Sequence, residues 1–228
     1  YWKNSIGMNK CIDSIGIVNQ KRAYEARIKA YQDSTGYLKG KLDFDKMKEL
    51  YELRFEDVKA MMYWSETFRR TNEFCTRAMA LDRMEVMGPK NKKSKQYILF
   101  SDNSDEWDEA LDKEVFAVLL KNYREHVAQK YLPKFYATID TQFGGDYTKY
   151  VDYLYKNSFL MKSEEKIYVN RKSYLKDPGV QLGLDMLEIR SMLRDNIIRT
   201  SDSIANMEKF LCAAKLRMEE DMPHYSDA

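Results

Sequence analysis

The sequence predicts an all-α fold, an antiparallel bundle of long helices with shorter connecting helices. Three observations carry this. Only 4 Pro and 9 Gly interrupt 228 residues, too few breakers for a many-turned β fold. Two long segments place apolar residues three and four apart, one stripe to a helix. And Tyr97-Ile98-Leu99-Phe100 is the only β-looking run, with nothing of strand length alternating at period two.

In chain order, Ala23, Ala26, Ile28, Ala30 and Tyr31 mark a helix after Gly16. Met47, Tyr51, Phe55, Val58 and Met62 begin a long one, and Trp64, Phe68, Cys75 and Met79 continue its stripe over roughly 40 residues. Phe116, Leu119, Leu120, Tyr123 and Val127 mark a shorter helix. Tyr147, Tyr150, Val151, Leu154 and Tyr155 mark another, opened by Gly144-Gly145-Asp146 with Asp146 as its cap. The last long helix has Pro178 at its first position behind an Asp177 cap. Leu182, Met186, Ile189, Leu193, Ile197, Ile204, Met207, Leu211, Met218 and Met222 form its stripe. Pro89, Pro133 and Pro223 fall at boundaries. No internal repeat is visible, so residues 1–228 read as one helical domain.

Hydrophobic residues make up 44% and charged residues 32% of the chain, too apolar for a disordered chain and too charged for a membrane protein. Lys+Arg is 38 against Asp+Glu 36, which leaves no global field to hold nucleic acid. The apolar stretches fall short of the roughly 20 residues that span a bilayer. Tyr1-Trp2-Lys3-Asn4 is not a signal peptide. With no initiator Met and no helix stop at Tyr225-Ser226-Asp227-Ala228, the chain reads as a piece of a longer protein.

No catalytic centre emerges. A nucleophilic triad needs a base beside a Ser or Cys, yet His126 sits inside a helix and His224 at a frayed end, and there is no G-x-S-x-G. Cys11, Cys75 and Cys212 have no metal-ligand spacing to each other or to the histidines, so no metal is expected and they read as buried free thiols, with a disulfide between one pair as the alternative if the parent is exported. The Asp102–Asp108 stretch looks like a calcium loop, but aligned from Asp102 it has Trp107 where Gly is needed and Lys113 where Glu is needed. It reads instead as an acidic helix start. Lys90, Lys92, Lys93 and Lys95 read as a solvated turn. Gly144-Gly145 lacks the Lys and Ser/Thr of a phosphate cradle. The adjacent acidic pairs Glu164-Glu165 and Glu219-Glu220 diverge on a helix and make poor acid/base pairs.

Three blocks of sequence go further. Tyr1-Trp2-Lys3-Asn4-Ser5-Ile6-Gly7-Met8-Asn9 precedes a basic helix at Gln20-Lys21-Arg22-Ala23. Phe143-Gly144-Gly145-Asp146 is followed by Tyr150-Val151-Asp152 and Ser158-Phe159. Tyr225-Ser226-Asp227-Ala228 ends the chain. In order and spacing these resemble the inserted helical domain of the bacterial dipeptidyl-peptidase 7/11 family, over essentially the whole length. The resemblance implies a parent that is a chymotrypsin-fold serine exopeptidase, with the catalytic His, Asp and Ser on a double β-barrel outside this chain. It implies release of dipeptides from free peptide N-termini, in the periplasm or at the cell surface, by a homodimer without cofactor. The helical domain then caps the cleft of its own peptidase domain and helps to recognise the substrate's α-ammonium. The family's ammonium-binding Asn aligns just before Tyr1, and Lys3 and Asn4, on the same helix face, are the cleft-facing candidates of this chain.

A free-standing helical protein-binding module is the alternative. An inserted cap predicts neighbouring chain ends and an apolar patch beside them. A binding module predicts exposed apolar area elsewhere, as a groove or stripe.

Overall fold

The computed structural model describes residues 16–69, 72–80, 95–98, 107–161 and 167–218, and every structural statement below concerns these. The elements are α1 (Ile17–Thr35), α2 (Phe44–Phe68), α3 (Glu73–Ala80), β1 (Lys95–Ile98), α4 (Glu109–His126), α5 (Phe135–Phe143), α6 (Tyr147–Asn157), β2 (Ile167–Asn170), α7 (Arg171–Tyr174) and α8 (Pro178–Met218), with 3-10 turns at Gln129–Tyr131 and Phe159–Met161. The fold is all-α, as the composition and periodicity predict. Its one small exception among the described residues is the antiparallel ribbon that pairs Lys95 with Asn170 and Ile98 with Ile167. β1 contains part of the β-looking run; Leu99 and Phe100 lie outside the described residues.

The chain divides into two compact units. One comprises residues 16–54 and 198–218, the other residues 55–197.

The first unit packs α1 and the start of α2 against the end of α8. Ile28, Leu42 and Ala214 are its buried centre, surrounded by Tyr24, Leu38, Phe44, Phe210, Leu211 and Met218. The connection from α1 to α2 is pinned by Gln32, whose buried amide donates to the Leu38 and Leu42 carbonyls at 3.2 and 3.3 Å. Ala23, Ala26 and Ala30 of the α1 pattern are exposed.

The second unit holds the larger core. Trp64 and Phe68 of α2, Phe74 and Cys75 of α3, Phe116, Leu120 and Tyr123 of α4, Ile139 of α5, Leu154 of α6 and Met186 and Leu193 of α8 are all buried together. The Trp64 indole donates to the Met186 carbonyl at 3.0 Å, tying α2 to α8. α6 packs chiefly on α4 and α5.

Two expectations need correction. The first long helix is broken: α2 ends at Phe68 and α3 restarts at Glu73. Asn72 terminates the pattern because its side chain accepts from Cys75 N at 2.7 Å, a cap that competes with helix continuation. The freed Glu73 N–H is taken by both oxygens of Asp112 at 3.0 Å. The second correction concerns the stripe of α2. The face that is buried is Asp57, Ala60, Trp64, Thr67 and Phe68, whereas Tyr51, Phe55 and Met62 are exposed.

Elsewhere the local chemistry works as the sequence suggests. Asp108 caps α4, accepting from Ala110 N and Leu111 N at 2.8 and 3.1 Å. Asp146 caps α6, accepting from Lys149 N at 3.0 Å. Gly144 and Gly145 turn the chain between α5 and α6 with φ of 63° and 80°, a region that side chains with a Cβ rarely enter.

Candidate functional site

The first unit contains a groove of about 590 Å³, within the range of small-ligand and peptide sites. Three helices build it. Val18, Lys21 and Arg22 come from α1, Phe44, Met47 and Tyr51 from α2, and Glu208 and Leu211 from α8. The spacing of three and four on each helix sets these side chains on one face. Val18, Phe44, Met47 and Leu211 make an apolar wall. Charged side chains of both signs line it as well: Lys21, held 3.6 Å from Glu25, Arg22 and Lys48, with Asp45 and Glu208. The Tyr51 hydroxyl donates to Glu208 Oε1 at 2.6 Å. That bond, with burial second, pushes the Tyr51 pKa up, so the phenol stays protonated near neutrality. The groove therefore offers apolar surface, charge and a fixed hydroxyl, which suit binding; it presents no nucleophile paired with a base. Tyr51 and Glu208 lie 157 residues apart, and no sequence signal links them.

The residues singled out from sequence fall as follows. Lys3 and Asn4 lie outside the described residues, as do Cys11, His224, Asp102 to Glu106 and the pairs Glu164-Glu165 and Glu219-Glu220. Of the basic loop, only the Lys95 backbone is described. His126 ends α4, exposed, with Nδ1 2.9 Å from the Asn122 carbonyl and its ring stacked on Tyr63 at 5.2 Å. Cys75 is buried, and that burial pushes its thiol pKa up strongly. Cys212 is exposed, contrary to the buried-thiol expectation, because it sits on the solvent side of α8. Among the described residues no three His, Cys, Asp or Glu side chains are grouped to hold a metal. No described helix is long and apolar enough to cross a membrane.

The middle block of the resemblance proves structural at each position. Phe143 packs edge-on against Tyr150 with centroids 5.4 Å apart. Asp152 lies 3.6 Å from Lys113, linking α6 to α4. Tyr150 and Val151 are core. Ser158 donates to Asp177, the cap of α8.

Sequence reasoning missed two carboxylate clusters, one buried and one half-buried. Asp57, only 4% exposed, accepts from the Tyr131 hydroxyl and from Asn196 Nδ2 at 3.3 Å. Asp112, besides holding Glu73 N, accepts from Tyr155. Both tie elements together and face hydrogen-bond donors on the protein itself, which a carboxylate withdrawn from water needs.

Comparison with known proteins agrees with the block-by-block resemblance. The family model described as Peptidase S46 matches residues 1–228. Dipeptidyl-peptidase 7 of Phocaeicola vulgatus is 30% identical over 194 residues, covering 79% of this chain and 26% of that protein. Dipeptidyl-peptidase 7 of Porphyromonas endodontalis is 26% identical over 226 residues, 92% of this chain and 26% of that one. That of Porphyromonas gingivalis is 26% identical over 243 residues, the whole of this chain and 33% of that one. The chain thus spans about a quarter to a third of the length of the curated relatives it matches. With the match running from its first residue to its last, this chain belongs to the peptidase S46 family.

Proposed function

We propose that this chain is the non-catalytic helical cap of a serine dipeptidyl peptidase that removes dipeptides from the free N-terminus of peptides. The observation that carries the reading is the full-length match to peptidase S46, together with relatives named dipeptidyl-peptidase 7. Two structural facts support it. The one described histidine, His126, is occupied by its own helix and by Tyr63 rather than by a nucleophile. And α1 packs with the end of α8 in one unit; Tyr1 and Ala228, whose closeness an inserted cap predicts, lie outside the described residues. The serine chemistry, the aminopeptidase mode, the periplasmic or cell-surface location and the homodimeric parent rest on the family resemblance.

The physical task of such a cap is recognition. An ammonium taken out of water needs acceptors, or its desolvation is too costly. A cap that supplies some of them registers the free end of the peptide against the nucleophile and blocks longer chains, so dipeptides are released. Its closure over a barrel excludes water. Lys3 and Asn4 are the residues of this chain proposed to face that cleft.

The test is to excise this segment from the full-length peptidase and compare free with N-acetylated peptides. Loss of discrimination between them is expected; unchanged discrimination overturns the reading. The 228-residue chain alone is expected to release no dipeptide, and robust turnover by it overturns the reading as well.

A free-standing binding module remains the second reading. Exposed apolar side chains away from the groove favour it: Leu111 and Val118 of α4 are 59% and 63% exposed within the second unit.

A further inference from the structure

The groove of the first unit holds two charges that its own walls leave unmatched. Among the charged side chains that line it, Lys21 pairs with Glu25 at 3.6 Å and Lys48 with Glu52 at 3.9 Å, while Glu208 accepts from Tyr51 at 2.6 Å. Arg22 of α1 and Asp45 of α2 line the same groove, and their side chains form neither an ion pair nor a hydrogen bond with the other described residues. Although opposite in sign, they do not reach each other. One unpaired charge at a surface is ordinary, because water solvates it. A guanidinium and a carboxylate held apart in one groove are a pattern that a ligand can match. Between them the groove offers Val18, Phe44, Met47 and Leu211, all half-buried. The Tyr51 hydroxyl spends its proton on Glu208, which leaves its oxygen as an acceptor.

We infer that this groove binds a short peptide with both ends free, its carboxylate on Arg22, its ammonium on Asp45 and an apolar side chain on the wall of Val18, Met47 and Leu211. Charge complementarity chooses the occupant. One ligand must carry an anion and a cation at once, joined by a short uncharged link, and must present apolar surface. A guanidinium takes a carboxylate through two parallel N–H bonds, and the amide between the two ends supplies a donor for the Tyr51 oxygen. A groove of about 590 Å³ admits a dipeptide with large side chains. Assigning the zwitterion to a peptide rests on the proposed function, whose product is a dipeptide with free ends; the inference goes beyond it by naming the residues of this chain that hold such a product.

The test is a titration of the 228-residue chain, labelled at its methionine methyl groups and followed by nuclear magnetic resonance. Met47 lines the groove, so its methyl signal, assigned through Met47→Leu, reports occupancy there. The probes are Leu-Leu, N-acetyl-Leu-Leu, Leu-Leu amide and phosphocholine, a zwitterion that is not a peptide. Leu-Leu is expected to shift the Met47 signal saturably, and each blocked peptide to bind about fivefold more weakly, the upper end of what an exposed ion pair contributes. Arg22→Gln is expected to weaken Leu-Leu to the level of its amide while leaving the amide unchanged. Asp45→Asn is expected to do the same with respect to the acetylated peptide. Both positions are exposed, and an unchanged far-ultraviolet dichroism spectrum confirms that the variants fold. Absence of a saturable shift at Met47 overturns the inference. So do equal affinities for free and blocked peptides, a loss in either variant that is the same for every peptide, or phosphocholine binding as tightly as Leu-Leu. The titration involves no catalysis, so it fails separately from the proposed function. A chain that binds Leu-Leu in this way, but whose excision leaves the full-length peptidase discriminating as before, overturns the proposed function and keeps the site; a chain that does not bind, but whose excision abolishes discrimination, does the reverse.

Discussion

The Ser158 hydroxyl donates to Asp177 Oδ1 at 2.7 Å, and both residues are buried. Asp177 also accepts from Gly179 N at 2.8 Å, Val180 N at 3.2 Å and Phe159 N at 2.8 Å. One carboxylate thus starts the 41-residue α8 and anchors the turn that leaves α6. Removing it loses a cap and strands buried donors.

Asp177→Ala is therefore expected to destabilise the fold by about 3 kcal/mol, from a lost cap plus unsatisfied buried N–H groups. Gly179→Ala is expected to be harmful for a different reason. A Cβ there meets Ser158 Oγ at 2.4 Å, Leu160 Cδ1 at 2.5 Å and Phe74 Cζ at 3.0 Å, overpacking that costs about 1–3 kcal/mol. Urea melts followed by circular dichroism read both; an unchanged midpoint for either variant contradicts the account of this junction.

Tyrosine titration gives a second expectation. Burial is the main cause that raises the pKa of Tyr123, Tyr136, Tyr150 and Tyr155 above the ordinary value of 10, with the Asp112 bond adding to it at Tyr155. The native state holds these protons longer than the unfolded chain does. Their contribution to stability is whole below pH 10 and is lost as pH climbs from there toward the folded values. Parallel records of phenolate absorbance and far-ultraviolet dichroism check this. The late-ionising tyrosines are expected to titrate together with loss of helix; ionisation of all tyrosines near pH 10 in a folded protein excludes it.

Periodicity made the helices legible, and cap chemistry made several of their starts legible. Asp146 and Asp177 cap where the sequence places them because a carboxylate at N-cap acts within its own turn. Which face of α2 is buried was not legible. Met47 through Met62 and Trp64 through Phe68 are two apolar faces of one helix, and periodicity alone does not say which one meets the core. The break at Asn72 is partly a tertiary effect, since Asp112, 39 residues away, supports the new helix start. β2 escaped notice because a four-residue strand has too little pattern, and its partner β1 is distant in sequence. The groove beside Tyr51 is assembled from both ends of the chain, so no local window contains it.

The cysteines provide a chemical check. A thiol reagent at pH 8 is expected to modify exposed Cys212 while leaving Cys75 intact until the protein unfolds, because desolvation holds the Cys75 thiol in its protonated, unreactive form. Peptide mapping by mass separates the two sites. Modification of Cys75 at the Cys212 rate in folded protein contradicts the packing of α3 into the core.

The Asp57 cluster supplies the last expectation. Tyr131 donates its hydroxyl to Asp57, and Asn196 donates from α8 to the same oxygen. Lys130 sits over the Tyr131 ring at 4.7 Å and pairs with Glu56 at 3.5 Å, so the turn after α4 is fastened to α2 through one buried acid. Tyr131→Phe removes a donor from a carboxylate with little access to water, at a cost of about 1–3 kcal/mol. Asp57→Asn in the same background relieves the unpaired charge, so the double variant is expected to recover part of that loss. A double-mutant cycle in urea measures the coupling. Strictly additive losses show that the two side chains are neighbours without interaction, and the fastening of this turn then falls to the apolar contacts of Tyr131 alone.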